Sequence, residues 1–373
     1  MIPVSEPNLD IKDAAAVIEA VRNSQISGNS PIVREFEAAF ASYIYPTKTS
    51  YGVSCNSGAS ALHIALLALG IGKGDEVIVP DVTMIATANA VAYCGAKPIF
   101  VDSDSETWCI DAGKIKDKIT KHTKAIVPVH LYGHPVDMDT VTRLAEYHDL
   151  FVVEDAAEAL GSEYHEQKCG SLSDAACFSF YANKNMTTGE GGMVVSEDQK
   201  IADACAALRS HAFGTRDGMF QHFNHTRLGF SYRLSGLQAA LGLSQLERIE
   251  QLISRKCGNG KFYNSFLKPL ADEGKLVLPV EKPFSKNTYW YYTVLVTPEF
   301  GMNRDDLMKA LYDDGIETRT TFIPMHKQLL YKTDEAFPVA DMIAECGINL
   351  PSSSRLTAEE IMYVCECIKK HAK

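Results

Sequence analysis

The chain has 373 residues, 46% of them hydrophobic and 22% charged, with a formal net charge of −11. This length predicts one large and one smaller domain, and the acidic balance argues against a nucleic-acid-binding surface. An anionic substrate stays possible, because a local basic pocket can form on an acidic protein. No run approaches the roughly 20 apolar residues that span a bilayer, so we expect no membrane partner.

The ten cysteines are scattered singly, with no Cys-x-x-Cys pair and no histidine spacing suited to zinc. We therefore expect reduced thiols and no metal site. The first seven residues, Met1-Ile-Pro-Val-Ser-Glu-Pro7, contain neither a basic nor an apolar region. This predicts no signal peptide and a cytoplasmic location.

The first 200 residues alternate helical and strand-like segments. The apolar spacing predicts helices over 10–23, 32–43, 61–69 and 83–93, and strands over 51–55, 76–80, 98–102, 125–130, 151–155, 176–180 and 192–196. Short strands that are apolar throughout and separated by helices are typical of a parallel sheet covered on both faces. The predicted fold class is therefore α/β, with a large, mostly parallel sheet.

The remainder of the chain has a different pattern of predicted helices and strands. We predict a long helix over 233–256, for which Gly258-Asn-Gly260 is a plausible break, although the helical pattern can also continue beyond it. The later segments predict strands over 290–296 and 317–322, a helix over 304–313 and a final helix from Ala358. We interpret residues 1–250 as a large α/β domain with an N-terminal helical segment, and residues 251–373 as a smaller α+β domain.

The first candidate site is the turn Asn56-Ser57-Gly58-Ala59-Ser60, between a predicted strand and a predicted helix. Small residues at a helix N-terminus allow main-chain N–H groups to reach an anion, which the helix dipole also favours. An ordinary turn between a strand and a helix would look the same, so both interpretations stay open.

The second candidate is the acidic run Glu154-Asp155-Ala-Ala-Glu158. Asp155 ends a buried apolar strand, where open α/β sheets bind ligands. A buried carboxylate needs a cationic partner, and a pyridinium N–H would serve. The alternative is that Asp155 caps the N-terminus of a following helix.

The third candidate is Lys184, in the run Phe178-Ser-Phe-Tyr-Ala-Asn-Lys184 that precedes a glycine-rich turn. A partly desolvated lysine has a lowered pKa and attacks carbonyls. One alternative is that Lys184 is an ordinary exposed loop lysine. Another is that it forms a nucleotide phosphate site with Ser179. The order of a P-loop is absent, however, because the glycines here follow the lysine. An acid, a later lysine and an earlier phosphate-binding turn form the layout that pyridoxal phosphate requires.

Several longer runs together resemble the sugar-nucleotide aminotransferases of the DegT/StrS family, which have the fold-type I architecture of pyridoxal-phosphate aminotransferases. The resemblance covers essentially the whole chain. The runs that carry it are Gly74-Asp-Glu-Val-Ile-Val-Pro80, Pro128-Val-His-Leu-Tyr-Gly133, Val153-Glu-Asp-Ala-Ala-Glu158, Phe178-Ser-Phe-Tyr-Ala-Asn-Lys184, Thr187-Thr-Gly-Glu-Gly-Gly192 and Gly347-Ile-Asn-Leu-Pro351.

The resemblance implies a pyridoxal 5'-phosphate cofactor and a role for each candidate residue. Lys184 would form the Schiff base and act in catalysis. Asp155, also catalytic, would pair with the pyridinium nitrogen, and Glu158 would lie near the ring hydroxyl.

The resemblance also implies how the phosphate is held. Ser57, Gly58 and Ala59 would offer the helix N-terminus and Ser179 its hydroxyl. Ser231 would approach the phosphate across a homodimer interface with shared active sites. Ser231 stands where relatives usually carry Asn, which shortens its reach, and Ala59 replaces a common Thr.

Met84 stands where relatives usually carry an aromatic ring stacked on the cofactor. A thioether can pack on that ring, but the quadrupole interaction of a true stack is lost. On the substrate side, the resemblance places His130, Arg319 and His326 near the sugar-nucleotide site.

Lys184 also indicates a branch of the family, because the dehydratase relatives carry His at this position. The run from Asn183 to Gly192, with Glu158, is most similar to members that act at carbon 4 of the sugar. This implies amino transfer from L-glutamate to GDP-4-keto-6-deoxy-mannose, which gives GDP-perosamine. UDP- or dTDP-linked 4-keto-6-deoxy sugars are alternatives, and a non-catalytic regulator that binds pyridoxal phosphate is a more distant one.

Overall fold

The structure is a computed structural model that describes residues 1–212, 216–217, 220–221, 225 and 227–373. The α-helices in this part of the chain are α1 (Ile11–Arg22), α2 (Pro31–Ile44), α3 (Gly58–Ala68), α4 (Ala86–Tyr93), α5 (Ala112–Ile115), α6 (Met138–His148), α7 (Gln199–Arg209), α8 (Gly236–Glu247), α9 (Ile249–Asp272), α10 (Arg304–Asp313), α11 (Pro338–Cys346) and α12 (Ala358–His371). No helix of the described residues is long and apolar enough to cross a membrane.

The strands are β1 (Tyr51–Cys55), β2 (Glu76–Pro80), β3 (Lys97–Val101), β4 (Thr123–Ile126), β5 (Phe151–Asp155), β6 (Glu163–Tyr164), β7 (Gln167–Lys168), β8 (Ala175–Ser179), β9 (Gly192–Ser196), β10 (Arg216–Asp217), β11 (Phe220–Gln221), β12 (Leu276–Val277), β13 (Ser285–Lys286), β14 (Tyr292–Val296), β15 (Arg319–Thr320) and β16 (Gly347–Leu350).

A seven-stranded sheet forms the centre of the larger layer, in the order β1-β9-β8-β5-β4-β2-β3. Strands β8, β5, β4, β2 and β3 are parallel, and β9 runs antiparallel to both of its neighbours. The predicted large, mostly parallel sheet is therefore confirmed. Because β1, β5 and β8 point the same way, their carboxyl ends meet at one edge, where a ligand site is expected.

Helices cover this sheet on both faces. Helix α3 packs on β8 and β9, whereas α2 packs on β1 and on α8. Four buried rings, Phe36 and Phe40 of α2 with Phe178 and Phe180 at the end of β8, make edge or tilted contacts at 5.0–6.1 Å between centroids. Their burial ties α2 to the strand that leads to Lys184.

A second, four-stranded antiparallel sheet, β12-β14-β16-β15, lies in the C-terminal part with its own buried cluster of side chains from α9, α10 and α12. The N-terminal segment joins this layer, since Ile2 forms a bridge with Ile316 and Ser352 donates to the carbonyl of Val4. A domain boundary at residue 250 stays a prediction.

The prediction of one long helix over 233–256 is wrong. The chain leaves helical geometry at Arg248, whose guanidinium pairs with Asp13 and Asn8, and this turn separates α8 from α9. The possible break at Gly258–Gly260 lies inside α9. Gly260 allows close packing there, because a Cβ at this position would lie 2.4 Å from the Tyr289 ring. The strands predicted over 125–130 and 317–322 are shorter than expected, at Thr123–Ile126 and Arg319–Thr320.

Candidate active site

A cavity of about 370 Å³ opens at the edge where β1, β5 and β8 end, between the large sheet and residues of the C-terminal layer. Nine residues singled out in the sequence line it: Ser57, Gly58, Ala59, Met84, Asp155, Glu158, Ser179, Lys184 and Arg319. The carboxyl ends of parallel strands thus bring together segments that lie far apart in the sequence.

Asp155 is the last residue of β5 and is almost completely buried. Its Oδ2 accepts a hydrogen bond from the Thr87 hydroxyl at 2.7 Å, and its Oδ1 accepts one from the Ala157 N–H at 3.2 Å. Burial raises the pKa of Asp155, while Thr87, Ala157 and the Lys184 charge oppose that rise. Residues 156–162 form turns instead of a helix, so Asp155 is not a helix N-cap.

Glu158 brings a second carboxylate into the cavity. Its Oε2 accepts the main-chain N–H of Tyr132 at 2.8 Å. Burial raises the pKa of Glu158 to about 7, against the opposing charge of Lys184. A carboxyl group in this state can carry a proton near neutral pH.

Lys184 lies in the turn that follows β8, partly buried at the cavity wall. Its Nζ sits 3.6 Å from the centroid of the Trp290 ring. Desolvation lowers the pKa of Lys184, while Glu158 and Asp155 oppose the decrease. The site therefore holds a nucleophilic amine among two carboxylates.

The N-terminus of α3 forms an anion-binding end of the cavity. Ser57 caps the helix by accepting the N–H of Ser60, and the first N–H groups of a helix have no partner within it. Gly58 brings Ser179 close, since a Cβ on Gly58 would lie 2.9 Å from the Ser179 Cβ. The helix N-terminus and the Ser179 hydroxyl therefore face the same cavity.

These residues fit pyridoxal phosphate. Asp155 is a buried carboxylate suited to a protonated ring nitrogen, α3 and Ser179 provide an anion site for the phosphate, and Lys184 provides the amine. Ala59 contributes only its main chain to this end. Met84 lines the cavity with a half-exposed side chain, as a packing surface without a ring.

The outer part of the cavity carries polar groups. The Tyr291 hydroxyl accepts hydrogen bonds from Arg319 Nη1 and Asn183 Nδ2, each at 3.2 Å. The buried Oδ1 of Asn183 has no hydrogen-bond partner among the described residues, and Arg319 is half-exposed. Arg319 Nη2 also lies 3.7 Å from Glu317 Oε1, and the remaining N–H groups of this guanidinium suit a phosphorylated or carboxylated ligand.

Three predicted site residues do not line this cavity. His130 is buried beneath it: its Nδ1 accepts the Val136 N–H, so its Nε2–H faces Glu154 at 2.8 Å. His326 pairs with Asp81 and Asp341, and this contact joins its loop to the end of β2. Ser231 is exposed and accepts a hydrogen bond from Arg233. Its predicted phosphate contact involves a second chain and stays a prediction.

Several residues that shape the site were not predicted from the sequence, notably Thr87, Tyr132 and Trp290. Thr87 lay within a predicted helix, and Trp290 stood in an aromatic run interpreted only as a strand. Tyr132 lay in the run Pro128–Gly133, but only the structure shows its left-handed conformation (φ 53°), which non-glycine residues rarely take.

Comparisons with known proteins agree with this geometry. The model of the DegT/DnrJ/EryC1/StrS aminotransferase family matches residues 7–369. The chain is 41% identical to a GDP-perosamine synthase of Escherichia coli O157:H7, over 99% of this chain and 98% of that protein. It is 36% identical to a UDP-N-acetyl-3-dehydro-alpha-D-glucosamine 3-aminotransferase of Acidithiobacillus ferrooxidans, over 93% and 90%. A solved Streptococcus pneumoniae protein, described as a sugar aminotransferase in its PLP form, has a TM-score of 0.90 at 27% identity and covers 100% of this chain and 98% of its own.

Proposed function

Because the chain belongs to the DegT/DnrJ/EryC1/StrS aminotransferase family and is a pyridoxal-phosphate-dependent sugar aminotransferase, we propose that it acts at carbon 4 of a nucleotide-linked sugar. The amino donor is L-glutamate. The acceptor is GDP-4-keto-6-deoxy-mannose, and the product is GDP-perosamine.

One observation carries the amino-transfer chemistry: the Lys184 amine shares a cavity with two buried carboxylates and a helix N-terminus. When bound, pyridoxal phosphate supplies an electrophilic carbonyl carbon and an electron-withdrawing ring. Asp155, held by Thr87 and Ala157, would balance a positive charge on the ring nitrogen. The N–H groups at the start of α3, with Ser179, would hold the phosphate.

Lys184 then moves the proton. The lowered pKa of Lys184 increases the fraction of neutral amine near neutral pH. Its Nζ can therefore accept a proton and return it at carbon 4 of the sugar. Glu158, with a pKa of about 7, faces the same amine and takes part in its charge balance. The apolar and aromatic walls restrict water around these groups.

The choice of carbon 4 and of a GDP-linked sugar rests on the similarity to the E. coli relative, which spans nearly the whole of both chains. Arg319, at the outer part of the cavity, is the residue we assign to the anionic or hydroxyl groups of the substrate. The Acidithiobacillus relative supports UDP-linked sugars as the second candidate class.

We also propose a homodimer with shared active sites. Leu228, Leu329 and Leu330 expose large apolar side chains, as expected where a second chain packs. Light scattering after size exclusion should give twice the 41.0 kDa mass of the chain. A monomer mass at working concentration, with full activity, would contradict this proposal.

The substrate is tested with a panel of GDP-, UDP- and dTDP-linked 4-keto-6-deoxy sugars. Each is incubated with glutamate that carries an isotopically labelled amino nitrogen, and the products are identified by mass spectrometry. We expect label in the GDP-sugar product and none with Lys184→Ala. Label in only UDP- or dTDP-sugars would overturn the GDP assignment, and normal turnover by Lys184→Ala would overturn the mechanism.

A further inference from the structure

Trp290 lies in the wall of the cavity next to the reacting amine and has no role in the chemistry described above. Its side chain is almost completely buried, and Lys184 Nζ is 3.6 Å from the centroid of its ring. A cation at this distance from an indole face is attracted by the ring quadrupole. The ring is thus a second partner for the amine, in addition to the carboxylates of Asp155 and Glu158.

Three hydrogen bonds hold Trp290 in this orientation. Its indole N–H donates to the carbonyl of Asn183 at 2.8 Å, and Asn183 directly precedes Lys184 in the chain. Its main-chain N–H donates to the Tyr132 carbonyl at 2.9 Å. Its own carbonyl accepts from Lys256 Nζ at 2.7 Å. The indole bond ties the ring to the residue next to Lys184, and the two main-chain bonds anchor the backbone of Trp290 to Tyr132 and Lys256.

Tyr132 links the two kinds of partner that face the amine. The same residue donates its N–H to Glu158 and accepts the N–H of Trp290, and its left-handed backbone allows both bonds. Its ring also lies stacked with the Trp290 ring, 6.3 Å apart at 17°. Tyr132 therefore positions both the Glu158 carboxylate and the Trp290 indole relative to Lys184.

Lys256, on α9, completes the anchor. It is almost fully buried and donates to the carbonyls of Trp290 and Ser352, and no carboxylate of the described residues is among its hydrogen-bond partners. An ammonium group without an anionic partner is costly to bury, so its position indicates a constraint on those two carbonyls. The constraint holds the start of β14 against α9.

We propose that Trp290 is the positioning residue of Lys184: its indole face holds the ammonium whenever the lysine is not joined to the cofactor. The long, flexible lysine side chain then stays at one place in the cavity instead of sampling many rotamers. The inference rests on the proposed function only in taking Lys184 as the reacting amine.

The charged groups that face Lys184 are Asp155 and Glu158 from the end of β5 and Lys256 from α9. The test must therefore change the indole without changing them. Fluorinated tryptophans do this, because fluorine weakens the ring quadrupole and keeps the shape. The chain has two tryptophans, so a Trp108→Phe background leaves Trp290 as the single site of incorporation.

The full-length protein is prepared with ordinary, monofluorinated and trifluorinated tryptophan, and loaded with pyridoxamine phosphate so that the Lys184 amine is free. Acetylation of Lys184 by trace acetic anhydride is followed across pH by mass spectrometry of its peptide. Since the ring stabilises only the ammonium, we expect the titration midpoint to fall stepwise with fluorination, by about one pH unit in total. The exposed Lys12 serves as the internal control, and its labelling should not move.

The same series without cofactor separates this inference from the proposed function. If the protein bound no cofactor, the proposed function would fail, yet the Lys184 midpoint would still respond to fluorination. A midpoint that does not depend on fluorination, with or without cofactor, would overturn the positioning role. In the single-tryptophan protein, Trp290 fluorescence should also titrate with the Lys184 midpoint. Lys256, which contacts the Trp290 carbonyl and has a pKa lowered to about 7, is replaced by Met in this measurement. In that background Lys184→Met should abolish the component at the Lys184 midpoint, and persistence of that component would also refute the inference.

Discussion

Thr87→Val should move the acidic limit of turnover to higher pH while leaving the fold intact. The Thr87 hydroxyl donates to Asp155 Oδ2 at 2.7 Å, and both side chains are buried. Valine has nearly the same shape as threonine but cannot donate. The substitution therefore removes one stabilising contact of the ionised carboxylate, together with the 3.3 Å contact between the Thr83 and Thr87 hydroxyls.

The size of the effect follows from this one bond. A hydrogen bond to a charged group is worth about 1.5–3 kcal/mol, and one pKa unit corresponds to about 1.4 kcal/mol. Burial already raises the pKa of Asp155, and the hydroxyl opposes that rise. Its loss should raise the pKa of Asp155 further, so the acidic limb of the kcat profile should move up by about one to two pH units.

The assay is kcat as a function of pH for the wild type, Thr87→Val and Thr87→Ser. Serine keeps the hydroxyl donor, so kcat of Thr87→Ser on the acidic side of the pH profile should stay close to that of the wild type. Thr83→Val is the matched control, because Thr83 contacts the Thr87 hydroxyl at 3.3 Å, whereas the side chain of Asp155 accepts from Thr87 and Ala157. If the acidic limb of Thr87→Val coincided with that of the wild type, ionised Asp155 would not be what limits turnover at low pH.

Three further predictions concern other parts of the site. Asp155→Asn should lower kcat far more than it weakens substrate binding, because a neutral amide cannot balance a charged ring nitrogen; equal losses in kcat and in substrate affinity would contradict the assigned role. Burial lowers the pKa of Lys256 from 10.5 to about 7, so the native state binds fewer protons than the unfolded state between these values. Wild-type stability should therefore rise relative to Lys256→Met by about 1.4 kcal/mol per pH unit in that window, measured by urea unfolding, and parallel curves would show that Lys256 is not desolvated. Gly58→Ala should weaken cofactor binding, since its Cβ would meet Ser179 at 2.9 Å, whereas the control Gly258→Ala has open space and should slightly stabilise α9. Equal cofactor dissociation constants for the two variants would refute the close-approach argument.

The candidate residues that could be predicted from the sequence share a local pattern, because each lies at or just after the end of an apolar strand. Asp155 ends an apolar strand, Lys184 follows one and precedes a glycine-rich turn, and Ser57 begins a helix after one. Local hydrophobic patterns locate strand ends, and parallel strands place those ends at one edge. The α/β class and the convergence of these three segments in one cavity could therefore be predicted from the chain alone.

The supporting contacts could not be predicted in this way, because they join residues without any shared local pattern. Thr87 meets Asp155 across 68 positions, and Trp290 meets Asn183 across 107. The end of helix α8 at Arg248 likewise depends on Asp13, near the start of the chain. Local pattern determined which residues carry the chemistry. Only tertiary packing decided which side chains hold them, because hydrogen bonds and ring contacts between distant segments depend on how the helices and sheets pack against one another.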